Sequence, residues 1–117
     1  MPITLMILLA IHVLSAVFWA GSTFTLARAG GAGSDELFRP QMGAAVVVFL
    51  TGAGLWRMTH EGPFSSIEIV LLVGIIAALA AAGVQGALRR RPEIGQRIAA
   101  ILLAITAVSM VVARYVA

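Results

Sequence analysis

Four long apolar runs separated by three short polar connections set the pattern of this chain. The first run begins after Pro2, whose missing N–H suits a helix start, and reaches about residue 27; apart from His12 it carries no ionisable side chain before Arg28. A connection over 28–39 follows, loosened by Gly30, Gly31 and Gly33 and made polar by Ser34, Asp35 and Glu36. Pro40 is expected to open the second run, which ends near Met58, and Arg57, His60, Glu61, Gly62 and Pro63 supply the second connection. Ser65 or Ser66 can cap the third helix, with Glu68 in its first turn, and Arg89, Arg90, Arg91 and Pro92 close it. The pattern predicts spans over 2–27, 40–58, 66–88 and 94–116, each near the ~20 residues that cross a ~30 Å bilayer core. Short connections make consecutive spans antiparallel. The expected fold is therefore a single all-α integral membrane domain over 1–117, an up-down-up-down bundle of four transmembrane helices.

Composition supports that reading. The chain is 61% hydrophobic and 11% charged, against about 25% charged residues in a soluble domain, too few to cover a water-facing surface. The absence of cysteine excludes disulfides, iron–sulfur clusters and thiolate metal sites from this chain. The net charge of +3 points to topology signals and lipid headgroups rather than nucleic acid. Arg28, Arg39, Arg89, Arg90, Arg91 and Arg97 fall on one side of the bundle, Arg57 and Arg114 on the other. By the positive-inside rule the 28–39 and Arg89 connections face the cytoplasm, and both termini face outward. The first run lacks the positive n-region of a signal peptide and is too long for one, so it reads as a retained span.

Small residues recur every four positions: Ala44, Val48 and Gly52 on the second span; Gly74, Ala78, Ala82 and Gly86 on the third; Ala100 and Ala104 on the fourth. Such stripes let membrane helices approach closely, either to seal the bundle or to dock a partner helix.

The chemistry concentrates on the first span. On a helix, His12, Ser15, Trp19 and Thr23 share one face at steps of three and four. An ionisable group at membrane depth is costly and by default marks a functional site, so this face is expected to look into the bundle. Neutral histidine ligates metals and haem iron; the plainer reading is a buried imidazole hydrogen-bonded to a neighbouring helix, with Ser15 or a facing threonine fixing it. Counting about 1.5 Å per residue places His12 about 15 Å from the start of its helix, level with Thr51, Gly52, Gly74 and Thr106, where small residues would leave room for something flat. His60 lies past the end of its span, so a bound haem would be five-coordinate, ligated by a partner subunit, or completed by a methionine such as Met110 or Met58. His60 with Arg57, Glu61 and Glu68 forms a polar cluster that can hold a metal such as copper or be a solvated interfacial loop. Gln85 is placed to hydrogen-bond between helices, and Trp56 fits an interfacial aromatic belt. No phosphate-binding glycine loop, carboxylate pair or Ser-His-Asp arrangement is present, and the isolated Gly52-Ala53-Gly54 reads as close packing.

His12, Trp19, Gly21 and Arg28 form the motif H-x6-W-x-G-x6-R. In this the chain resembles the four-helix membrane proteins of the copper resistance protein D type and the haem-binding bacterial protoporphyrinogen oxidases; Gly52-x-Gly-Leu-Trp in the second span is similar to that group as well. The resemblance implies a bacterial inner-membrane protein with His12, and no other residue, as haem ligand. The candidate cofactor site read from this chain's residues is His12, Trp19, Ser15 and Arg28, with His60 as a weaker metal ligand from its own polar cluster. The expected function is b-type haem binding through His12 for redox chemistry or electron transfer. The alternatives are a cofactor-free accessory or structural subunit packed against a larger membrane complex or its own copies, and copper handling.

Overall fold

The computed structural model describes residues 2–59 and 66–115, the side chains of Thr59 and Arg114 excepted. Four α-helices follow one another, α1 (Ile3–Arg28), α2 (Ser34–Thr59), α3 (Ser66–Ala87) and α4 (Pro92–Val112), and a 3-10 turn at Ala113–Tyr115 ends the described chain. All four are long and apolar enough to cross a membrane. The fold is the expected all-α bundle.

Three boundaries differ from expectation by two residues or more. The second helix begins at Ser34 rather than Pro40, and Pro40 lies inside it. Proline deletes the hydrogen bond to the carbonyl four residues back, which here is that of Glu36, still in the first turn. Asp35 and Glu36 meanwhile occupy that first turn, where carboxylates are stabilised by the helix dipole. The fourth helix begins at Pro92, its N1 position, and gives way to the 3-10 turn after Val112.

The connection between α1 and α2 therefore shrinks to 29–33, and its glycines now have defined tasks. Gly31 N–H donates to Leu26 O at 2.7 Å and Gly30 N–H to Ala27 O at 3.3 Å, with Gly30 at φ +66°. This is a Schellman closure of α1, which needs a left-handed residue just past the helix end.

α1 packs along α2 and α4, and α4 along α3, while α2 and α3 meet little. The bundle is consequently flat, 43 × 27 × 19 Å. Its apolar core is Trp19, Ala45, Val48, Ala78, Ala81, Ala99 and Leu103. The small-residue faces run partly in other registers than the four-residue stripes. On α3 Gly74, Ala77, Ala78 and Ala81 are buried, while nothing approaches Gly86. On α4 the buried positions are Gly95, Gln96, Ala99, Leu103 and Ser109, while Ala104 is exposed. Most large apolar side chains, such as Leu14, Leu50, Ile76 and Val108, face outward, as lipid contact demands.

Candidate functional site

Six hydroxyls within the spans, those of Ser15, Ser22, Thr23, Thr25, Thr51 and Thr106, return a hydrogen bond to their own helix. Ser15 Oγ donates to Ile11 O at 2.7 Å, Thr23 Oγ1 to Trp19 O at 2.7 Å and Thr51 Oγ1 to Val47 O at 2.6 Å. Hydrocarbon offers no water to satisfy them otherwise.

Thr51 also holds the imidazole. His12 Nδ1 lies 2.9 Å from Thr51 Oγ1. Because the threonine proton is committed to the Val47 carbonyl, the hydroxyl oxygen accepts from Nδ1–H. Nε2 is then the nitrogen with the open lone pair. The ring is half-buried in the seam between α1 and α2. It rests on Gly52, where a Cβ would stand 3.1 Å from His12 Cε1.

The glycine gaps beside this level are thus occupied by protein. Leu8 fills the space at Gly54, and Ser109 and Met110 fill that at Gly74. Thr106 Oγ1 donates to Gly74 O at 2.9 Å and pins α3 to α4. The room expected for a flat group at Gly52, Gly54 and Gly74 is taken up by side chains. What remains open is the half-exposed edge of His12.

The other residues named from the sequence lie elsewhere. Ser15 is spent on its own backbone. Arg28 ends α1, exposed, about 24 Å along the helix from His12 at 1.5 Å per residue. Met58 is 41% exposed. His60, Glu61 and the rest of 60–65 fall outside the described residues; of the polar cluster, Arg57 lies in the last turn of α2 and Glu68 in the first turn of α3. Among the described residues no group of three metal-ligating side chains occurs.

Trp19 belongs to a second site, toward the arginine-rich end, where a polar network joins all four helices. Its Nε1–H donates to Gln85 Oε1 at 2.8 Å. Gln85 Nε2 donates to Thr23 Oγ1 at 2.9 Å and to Gln96 Oε1 at 3.1 Å. Gln41 Nε2 donates to Thr23 Oγ1 at 3.1 Å and to Gln96 Oε1 at 3.4 Å, and Gln96 Nε2 returns a bond to Gln41 Oε1 at 3.4 Å. All five side chains are at most 3% exposed. Phe49 closes the apolar side of the indole edge-on at 5.8 Å.

The network is uncharged, and each amide is held by more than one helix. Buried polar networks that are satisfied in this way rigidify a fold and select one arrangement. Gln85 is its hub. Gln85→Leu leaves the Trp19 N–H without an acceptor and removes two donations. An orphaned buried donor costs about 1–3 kcal/mol, and interhelical bonds in membranes average about 0.6 kcal/mol. Gln85→Leu is expected to lower bundle stability by about 1–2 kcal/mol, read as the shift of the SDS-unfolding midpoint in detergent.

Gln41 and Gln96 are the members that sequence reasoning missed. Each sits beside an arginine, in Arg39-Pro40-Gln41 and Gln96-Arg97, and passes for part of a polar helix end. The available signal was depth: Thr23, Gln41, Gln85 and Gln96 all lie within about 10 Å of the arginine-rich ends of their helices at 1.5 Å per residue. No family model, curated protein or solved structure matches the chain.

Proposed function

We propose that this chain is an accessory or structural subunit of a larger membrane assembly, set in a bacterial inner membrane with its arginine-rich end toward the cytoplasm and both termini outside. The observation that carries the reading is the Trp19–Thr23–Gln41–Gln85–Gln96 network. It spends the interior polar groups on one another and uses a member of every helix to do so. A bundle specified from within offers its outer surface, rather than an interior pocket, to other molecules. The arginine count, six at one end against two at the other, supports the orientation.

Blue-native electrophoresis of mildly solubilised membranes tests the proposal. The chain is expected in a band well above its own 12.2 kDa after correction for detergent, together with defined partner subunits. Migration as a lone monomer overturns the reading, and a band holding copies of this chain alone replaces it with a homo-oligomer.

One observation favours a second reading. Thr51 fixes Nδ1 of His12, and a hydrogen bond at one imidazole nitrogen is what orients the other toward a metal. Haem iron would then be held at the half-exposed edge of the α1–α2 seam, where a bound b-type haem supplies one-electron chemistry. Purified protein on this reading shows a Soret band that His12→Ala abolishes, while His12→Ala leaves the unfolding midpoint within about 1 kcal/mol of the parent. Colourless protein from haem-replete cells removes it, and metal analysis of the same sample decides copper.

A further inference from the structure

The polar network ends beside a buried hydroxyl that has no partner. The three glutamine amides carry six N–H bonds. Gln41 and Gln85 use both of theirs and Gln96 uses one, which leaves a single N–H on Gln96 Nε2. Ser34 stands at the N-terminus of α2, 6% exposed, and its Oγ is buried without a hydrogen-bond partner. Ser34 and Gln96 line the same notch, together with Gln85, Gly95 and Arg89, and its volume is ≈ 10 Å³.

Both side chains line one small cavity, and its size and lining define what it takes. A water molecule needs about 10–15 Å³ and two to four polar partners. A phosphate or a lipid headgroup is far too large. A metal cation requires several oxygen ligands and would be opposed by the amide N–H. An anion would meet the Asp35 carboxylate as well as Arg89, and any anion larger than a water molecule exceeds the volume.

We infer that the notch between the N-termini of α2 and α4 is a binding site for one water molecule, which accepts from Gln96 Nε2–H and hydrogen-bonds Ser34 Oγ. The water is the outermost member of the network. Asp35, Arg89 and Pro92 border both the notch and an open groove on the arginine-rich surface, so the site exchanges with bulk water at that end. Polar continuity then runs from the surface through Gln96 and Gln85 to Thr23 and the Trp19 indole. It stops at the apolar layer of Val48, Ala78 and Leu103.

Two substitutions in the full chain test this. A hydroxyl that merely lacks a partner destabilises the fold, so its removal by Ser34→Ala would raise the thermal midpoint or leave it unchanged. A hydroxyl that holds a water stabilises, and Ser34→Ala is expected to lower the midpoint by about 2–5 °C. The chain has no cysteine, so Ser34→Cys carries the sole thiol. In proteoliposomes it is expected to react with a small hydrophilic methanethiosulfonate at least about tenfold faster than Ala81→Cys, whose site is buried in the apolar core without bordering the notch. A midpoint that stays or rises in Ser34→Ala, or a Ser34→Cys thiol as inert as that of Ala81→Cys, overturns the inference.

Discussion

Trp19→Ala is expected to be the most damaging single truncation in the described bundle, lowering its stability by about 3–5 kcal/mol. The indole is 1% exposed and sits where α1, α2 and α3 converge: Phe49 of α2 packs edge-on against it and Gln85 of α3 accepts its N–H. In a bilayer the loss is not one of transfer from water, because lipid tails are as apolar as the core. It comes from the contacts forfeited around a cavity that rigid helices close only partly. To this is added the unpartnered Gln85 oxygen, which costs about 1–3 kcal/mol in an apolar interior. Trp19→Phe separates the two contributions. It keeps the ring against Phe49 and loses the hydrogen bond, and is expected to cost about 1–2 kcal/mol. SDS-unfolding or steric-trapping midpoints of the two variants beside the parent measure both terms. A Trp19→Phe loss as large as that of Trp19→Ala would place the whole effect in the network rather than in packing.

How far such features are legible in sequence depends on whether they are local. The four helices follow from run length and hydropathy, both properties of a single segment, and they agree with the structure. His12 meeting Thr51 and Gly52 follows from counting depth along two helices, which needs only the rise per residue and an antiparallel neighbour. What depth cannot give is rotation about the helix axis. Gly74 and Thr106 lie at the level of His12, yet they face each other and seal α3 to α4. Glycines that would leave room for a cofactor in one rotation admit a neighbouring side chain in another. The start of α2 was obscured by two competing local rules. Pro40 reads as a first helical residue, while Gly33 followed by Ser34, Asp35 and Glu36 reads as a helix N-terminus. The second prevails because the hydrogen bond that Pro40 forfeits lies in the first turn, near the membrane surface. Displacing that start brings Gln41 from a helix end to a site two turns inside, which is why the network was hidden with it.

The same shift makes the short connection at 29–33 sensitive to a single methyl group. Gly31 is buried, and a Cβ there would lie 2.7 Å from Glu93 N and 2.8 Å from Pro92 C, both main-chain atoms of the α4 N-terminus. Its φ of +87° is one that residues with a side chain adopt at a cost of about 1–3 kcal/mol. A clash with backbone cannot be relieved by a rotamer change, so either α4 withdraws or the Schellman closure of α1 opens. Overpacking of this kind adds about 1–3 kcal/mol. Gly31→Ala is thus expected to destabilise the bundle by about 2–4 kcal/mol. Gly30→Ala, at φ +66° with no atom within 4 Å of the new methyl, is expected to cost about 1 kcal/mol. The difference between the two isolates the docking of the first connection on α4. That docking also sets the separation of the α2 and α4 N-termini, and with it the reach of Gln41 to Gln96. Gly31→Ala should therefore weaken the network as well as the loop. In a double-mutant cycle with Gln96→Leu, the two losses are expected to fall short of additive by about 0.5–1 kcal/mol. Full additivity would show that the connection and the amide network are energetically separate.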